Sequence, residues 1–340
     1  MEIGVIMPPL PRRSATVARM VEELGFAGLL FPDSQNLAPE VWSHLQLAAG
    51  ATKTLKLGPG VSNSVTRDPA VTACAALTLQ VESEGRAVLG LGRGDSSVQR
   101  IGKREDPVAS FEAYLAAVQR YLRGDAVDRD GFASRLEWLE HVKAAKVPVF
   151  VAATGRRVIE VAARHADAVC FAAGADPTHL AELLATARAA ARAAGRDPDT
   201  LQYGAFVNCV IHPDPRVARD ALRGTVATFA RFSAFRGSNL NRLPEPLRGA
   251  AHYLREHYDM REHTRTGVAH TAGISDAFVD WFAIAGPADT ALPRFRQLAA
   301  LGLRFCYVIP SSGNVSREVA TGSLLGLAQQ VLPALRGAPA

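Results

Sequence analysis

"GPGVSNSVTRDPAV", Gly58 to Val71, leaves the apolar segment "LKL" and runs into a helix start. Asp68 stands where an N-cap side chain accepts from first-turn N–H groups, and Pro69 where a helix does not need the missing N–H. Between the two ends lie two glycines, a proline, three small hydroxyl residues and an asparagine. An ordinary strand-to-helix loop runs about 2–6 residues. This one is longer, small, polar and bent just where a strand ends.

Outward from this stretch the same unit recurs. "EIGVIM", "GLLF", "LKLG", "RAVLGLG", "VPVFVAA", "AVCFAA", "LQYGAFVNCVI" and "RFCYVIP" are short β-rich segments, and each is followed by an Ala/Leu/Arg helical pattern. Asp-Pro recurs at the helix starts, at Asp68-Pro69, Asp106-Pro107, Asp176-Pro177 and Asp214-Pro215. Each pair sets an acceptor and a donorless residue where helix N–H groups lack partners. Eight strand–helix units predict an α/β fold, a (β/α)8 TIM barrel formed by residues 1–340 as a single domain. An open doubly wound sheet is the alternative, because periodicity alone does not close a barrel. Residues 232–280 break the rhythm and hold four of the nine histidines. They read as a helical insertion, a lid, before the last strand.

Composition narrows the class. Hydrophobic residues make up 48% of 340, enough for a sizeable core. No apolar run approaches the ~20 residues of a membrane helix. "MEIGVIMPPL" has no basic stretch ahead of its apolar residues and reads as a first strand, not a signal peptide. The four cysteines are widely spaced with no C-x-x-C, so neither a zinc site nor a disulfide framework is expected, and a cytoplasmic location fits. The net charge of +5 is spread along the chain, so no nucleic-acid or membrane partner is expected. An anionic small ligand suits the same balance.

In a barrel, the loops after the strands build the active site. The loop after strand two, "FPDSQN", offers Asp33, Ser34 and Asn36; the loop after strand four, "GLGRGDSS", offers Arg93, Asp95, Ser96 and Ser97. "AATGRR" passes from a strand straight into a helix start. Its small residues let backbone N–H groups approach an anion, and Thr154 adds a hydroxyl; a tight turn capped by Thr154 explains it equally. "GLGRGD" is not G-x-G-x-x-G and has no acidic residue placed as a dinucleotide site requires. Asp95 is either an acid or base near a ligand or the cap of the next turn. "HYLREHYDMREH" does not reproduce H-E-x-x-H, and no G-x-S-x-G is present, so no metal site and no serine hydrolase are expected.

Taken together, "PDSQ", "GPGVSNSVTRDPAV", "GLGRGDS", "VPVFVAATGRR" and "FAIAGPADTALPRFRQLAALGL" resemble the bacterial-luciferase-like flavin-dependent oxidoreductases. The nearest likeness is to the branch that uses the deazaflavin coenzyme F420, with methylenetetrahydromethanopterin reductase in it. The resemblance covers nearly the whole chain and implies hydride transfer between coenzyme F420 and a small organic substrate. It also implies a bulge with a non-prolyl cis peptide at Gly60–Val61, backing the ring, with Ser62 and Asn63 at the ring's edge. The phosphate is expected on the N–H groups around Ala152, Ala153, Thr154, Gly155 and Arg156. Asp95 and Asp33 are the expected catalytic residues. Ser34 stands where alcohol-oxidising members carry a histidine, and Asp95 where they carry a glutamate, which favours a reductase. Ser34 and the lid residues Tyr253, Tyr258, Arg261 and His263 are expected to face the substrate. The alternatives are an FMN-dependent monooxygenase using O2 and a catalytically silent flavin-binding protein. A homodimer or homotetramer is expected.

Overall fold

A computed structural model describes residues 1–234 and 245–336, the side chains of 232–247 excepted. Its strands are β1 (Glu2–Ile6), β2 (Gly28–Phe31), β3 (Lys56–Pro59), β4 (Ser62–Asn63), β5 (Leu89–Gly92), β6 (Val127–Arg129), β7 (Phe132–Ser134), β8 (Val149–Ala153), β9 (Ala168–Phe171), β10 (Gln202–Ile211), β11 (Ile284–Gly286) and β12 (Phe305–Ile309). The main sheet runs β3-β2-β1-β12-β10-β9-β8-β5-β4, with every pair parallel. Its two ends meet. Leu57 on β3 bridges Ala87 just before β5, its N–H donating to Arg86 O at 3.0 Å and its carbonyl accepting from Val88 N at 2.9 Å. The sheet is therefore a barrel and not an open doubly wound layer. Its eight principal strands are the eight segments expected from sequence.

The closing seam explains the opening motif. β3 pairs with β2, and β4 pairs with β5, so the chain changes partner between Pro59 and Ser62. The strands pass so close that a Cβ on Gly58 would lie 1.9 Å from Val88 O, and one on Gly60 2.7 Å from Leu30 Cβ. Any larger residue would push the seam open. The peptide bond Gly60–Val61 is cis, at the bulge where it was expected.

Strand alternation sorts the side chains. Leu30, Phe150, Cys170 and Tyr307 fill the barrel below the mouth, with Phe150 stacked on Tyr307 at 5.8 Å, and Phe206, edge-on to Phe150 at 6.1 Å, closes this layer against the mouth. The opposite faces pack on the helices, as Val149, Val151 and Ala153 do from β8. Three Asp-Pro starts cap as expected: Asp68 accepts from Ala70 N, Asp176 from His179 N and Asp214 from Arg216 N, each at 2.8 Å. Asp106 does not. Its carboxylate accepts from Ser64 Oγ at 2.6 Å and its carbonyl from Arg93 Nε at 2.6 Å, so it ties two loops together. Asp176→Ala is expected to lower stability by about 1 kcal/mol, read as a lower denaturation midpoint.

After β10 the chain forms the Pro215–Ala234 helix, then the Glu245–His257 helix, two short 3-10 turns and the Asp276–Phe282 helix. Residues 235–244 of the expected 232–280 insertion lie outside the described residues. The described part packs on the Pro215–Ala234 helix in a separate core, Leu254, Ile274 and Phe278 meeting Leu222 and Val226, with Phe282 just beyond. It returns through β11, which pairs with the end of β10. β11 and the β6–β7 hairpin escaped sequence reading because three-residue strands carry too little alternation to register.

Candidate active site

A cavity of about 920 Å3 opens at the C-terminal ends of the barrel strands. Its floor includes Gly60, Val61, Ser62 and Asn63; its walls come from the loops after β1, β2, β5, β8 and β12 and from the segment around His263. Ser62 and Asn63 are buried. Ser62 Oγ donates to Asp33 Oδ2 at 2.6 Å, which joins the bulge to the loop after β2. Asn63 does something other than meet a ring edge with its oxygen. Asn63 Oδ1 accepts from Val65 N and Thr66 N, each at 3.0 Å, and from Thr66 Oγ1 at 3.1 Å. It is the device that turns the loop toward Asp68.

Asp33 is a largely buried acid at the cavity wall. Its side chain is 9% exposed, and Arg67 Nε stands 3.5 Å from Oδ2 while Arg67 Nη2 holds Glu40 Oε1 at 2.7 Å. Burial raises its pKa above the usual aspartate value, against the lowering effect of the Ser62 hydroxyl and Arg67. It therefore keeps a proton to higher pH than an exposed aspartate. Next to it, Ser34 Oγ is buried at the cavity wall with no hydrogen-bond partner among the described residues.

Asp95 lines the cavity at the N-cap position of the short Ser96–Gln99 helix, yet its side chain does not cap that helix. It forms an ion pair with Arg231 from the Pro215–Ala234 helix and accepts from Gln99 Nε2 at 3.1 Å. The Arg231 guanidinium lies 4.8 Å over the Tyr258 ring, and Tyr258 Oη shares a 2.6 Å hydrogen bond with His263 Nδ1. A second tie runs from Arg100 to Met260 O. The loop after β5 is thus bound to the Pro215–Ala234 helix and to the segment from Tyr258 to Met260 through two arginines.

His263 reaches the cavity, and Tyr258 stands directly behind it. Burial, with Arg231 and Arg100 nearby, lowers the His263 pKa to about 3. Its folded value is below the unfolded ~6.5, so the unfolded chain binds a proton the folded one refuses. This group's stabilising contribution is complete above pH ~6.5 and is lost as pH falls toward 3. His263→Asn keeps a hydrogen-bonding side chain without the titration. It is expected to flatten the loss of stability between pH 6.5 and about 4, measured by denaturation at each pH.

Four expected residues are not brought to the cavity, Tyr258 among them, since it reaches only the back of His263. Tyr253 Oη donates to Ala269 O at 3.0 Å and its ring stacks on His257 at 4.1 Å, so it works within the insertion. Arg261 is 88% exposed and paired with Asp259 at 2.7 Å. Ala153 is fully buried in the outer core, because alternation along β8 turns it away while Ala152 faces in.

Thr154, Gly155 and Arg156 do line the cavity, at the start of the Arg156–His165 helix. No side chain caps this helix at Gly155. A Cβ on Gly155 would meet nothing within 4 Å, so there is open space beside Gly155, and residues Thr154 to Val158 of this helix start line the cavity. Such a helix end favours an anion.

Sequence reading missed Arg231, Phe206, Phe229 and the Ser311–Gly313 loop. Thr225, Thr228 and Phe229 are spaced i, i+3, i+4 on one helix face, a signal legible in the sequence. Arg231 lies 136 positions from Asp95, and nothing local marks the pair.

With this geometry in place, the relatives are informative. The sequence model of the family described as luciferase-like monooxygenase matches residues 6–304. The chain is 28% identical over 302 residues to 5,10-methylenetetrahydromethanopterin reductase of Methanolobus tindarius, covering 85% of this chain and 87% of that one. It is 29% identical over 314 residues to phthiodiolone/phenolphthiodiolone dimycocerosates ketoreductase of Mycobacterium kansasii, covering 89% and 84%. The solved structure of coenzyme F420 dependent tetrahydromethanopterin reductase from Methanopyrus kandleri superposes with a TM-score of 0.75 at 21% identity, covering 98% of this chain and 99% of that one.

Proposed function

The chain belongs to the luciferase-like monooxygenase family, and from that premise we propose that it is an oxidoreductase moving a hydride between coenzyme F420 and a small organic substrate. The observation that carries this reading is one cavity of about 920 Å3 that joins a glycine-floored bulge to the uncapped helix start at Gly155. A flat ring needs a floor of small side chains, and a phosphate needs unpaired helix N–H donors at the cavity wall. Gly60, Ser62 and Asn63 support the first, and the uncapped helix start at Gly155 the second. When bound, the deazaflavin supplies a carbon centre that gives and takes a hydride.

The chain's own residues do the rest. Thr154, Gly155 and Arg156 hold the phosphate end. Gly60 and Val61 support the ring. Asp33, protonated more readily because it is buried, gives a proton to the substrate atom that gains negative charge in reduction, and takes it back in oxidation. Ser34, beside Asp33, lines the cavity and would border that atom. Asp95 and Arg231 fix the loop after β5 against the Pro215–Ala234 helix at the cavity's edge.

FMN is the alternative occupant, since the same cradle accepts its single phosphate and the family includes monooxygenases by description. The test is to mix the protein with reduced F420 and candidate carbonyl or iminium substrates, and separately with reduced FMN and O2. Substrate-dependent return of the oxidised deazaflavin spectrum is expected. Consumption of O2 with product oxygenation under reduced FMN would overturn the assignment.

We propose a homodimer or homotetramer, which light scattering of the purified chain tests. A reducing cytoplasm suits the four cysteines, all of them free thiols. No described helix is long and apolar enough to cross a membrane.

A further inference from the structure

Around the barrel, β10 and β12 lie across from β5 and from the bulge between β3 and β4. The cavity wall on that far side differs in chemistry from the rest. It is built by Phe206 on β10, Phe229 on the Pro215–Ala234 helix, Ile309 at the end of β12, and Val315, Ala320 and Leu324 beyond it. Phe206, Ile309 and Leu324 are all buried and present carbon to the space.

The side chains of Thr225, Thr228 and Ser312 on this side are engaged within the protein. Thr225 Oγ1 donates to Leu222 O at 3.1 Å and Thr228 Oγ1 to Gly224 O at 3.0 Å. Ser312 Oγ accepts from Gly224 N at 3.1 Å and Thr225 N at 3.2 Å. His263 is bonded to Tyr258 and is neutral at physiological pH, and Arg231 is paired with Asp95. The ionic residues of the lining, such as Asp33, Arg93, Glu105, Arg156 and Arg157, come instead from the loops after β2, β5 and β8. An ionic group placed against the far wall would lose its water and find its counter-charge already taken. A methylene placed there is removed from water with no such penalty.

We propose that this wall is the substrate site and that it takes an uncharged carbonyl compound carrying an apolar chain, with the chain against Phe206, Ile309 and Leu324. The carbonyl rests on the hydride-transfer reading above; the apolar chain rests on the wall alone. Binding of methyl ketones, from butanone to decanone, to the full-length protein tests it by calorimetry, with and without oxidised F420. Affinity is expected to rise about three- to fourfold per added methylene until the wall is covered. The α-keto acids of equal length are expected to bind at least ~10-fold more weakly, because their carboxylate is desolvated without a partner. Ala320→Trp fills the space and is expected to abolish the chain-length dependence; its F420 titration reports that the barrel is intact. A flat ketone series, or keto acids that bind more tightly than ketones, would overturn the proposal. A rising series in a protein that binds no F420 would leave this site standing and remove the cofactor assignment. F420 binding with a flat series would do the reverse.

Discussion

Asp33→Asn is expected to lower turnover by ~10²–10⁴-fold while leaving cofactor affinity nearly unchanged. The substitution is close to isosteric, and its carbonyl still accepts from Ser62 Oγ, so the seam between β2 and the bulge survives. What it removes is the proton. In the parent, burial raises the Asp33 pKa, so the folded protein retains the acid form to higher pH than an exposed aspartate does. If reduction needs that acid form, the parent's turnover falls as pH rises through the raised value, and the Asn variant lacks that limb. Rates measured where chemistry limits turnover, over a pH series, decide this. Unchanged turnover with an unchanged pH profile would return Asp33 to a structural role beside Arg67.

Gly155→Val is expected to weaken cofactor binding by about 1–3 kcal/mol, roughly 5- to 150-fold. Gly155 has φ −113° and ψ 151°, extended backbone that valine adopts readily, so the fold is expected to hold. The added carbons would stand in open space at the cavity wall, beside the start of the helix. A phosphate kept at a distance loses charge-assisted bonds from those donors and the favourable helix end. A thermal melt matching the parent, together with the weaker titration, separates this effect from unfolding. Parent-like affinity would place the phosphate elsewhere.

The sequence carried the barrel because the barrel is a repeat. Eight β-rich segments alternate with helices, and Asp68, Asp176 and Asp214 mark helix starts by a local hydrogen bond that the sequence alone encodes. Asp106 shows where that logic stops. The same dipeptide stands there, but Ser64 and Arg93 from other loops claim its polar atoms. The bulge was legible for a related reason. Gly58 and Gly60 are small because Val88 and Leu30 crowd them, and small residues at a strand end are visible without knowing the neighbours.

The side of the site built by the insertion was less legible. Tyr253, Tyr258, Arg261 and His263 are similar in type and close in sequence, and only the path of the chain sends His263 to the cavity and Arg261 to solvent. Ala153 and Ala152 differ only by strand alternation, which sequence gives as a period without a phase. Arg231 and Asp95 meet through a tertiary contact with no local signature. The far wall was hidden for another reason: Phe206 and Ile309 look like any buried strand residues until the barrel shows which of them stand at its mouth.

The central claim is that this cavity holds a deazaflavin against the Gly60–Val61 bulge with its phosphate at Gly155. Titration of the purified protein with oxidised coenzyme F420 and with FMN, followed by absorbance and fluorescence, tests it most directly. The account predicts saturable binding of F420, tighter than that of FMN, and weakened by Gly155→Val. No saturable change with F420, or FMN bound more tightly and indifferent to Gly155→Val, would contradict it.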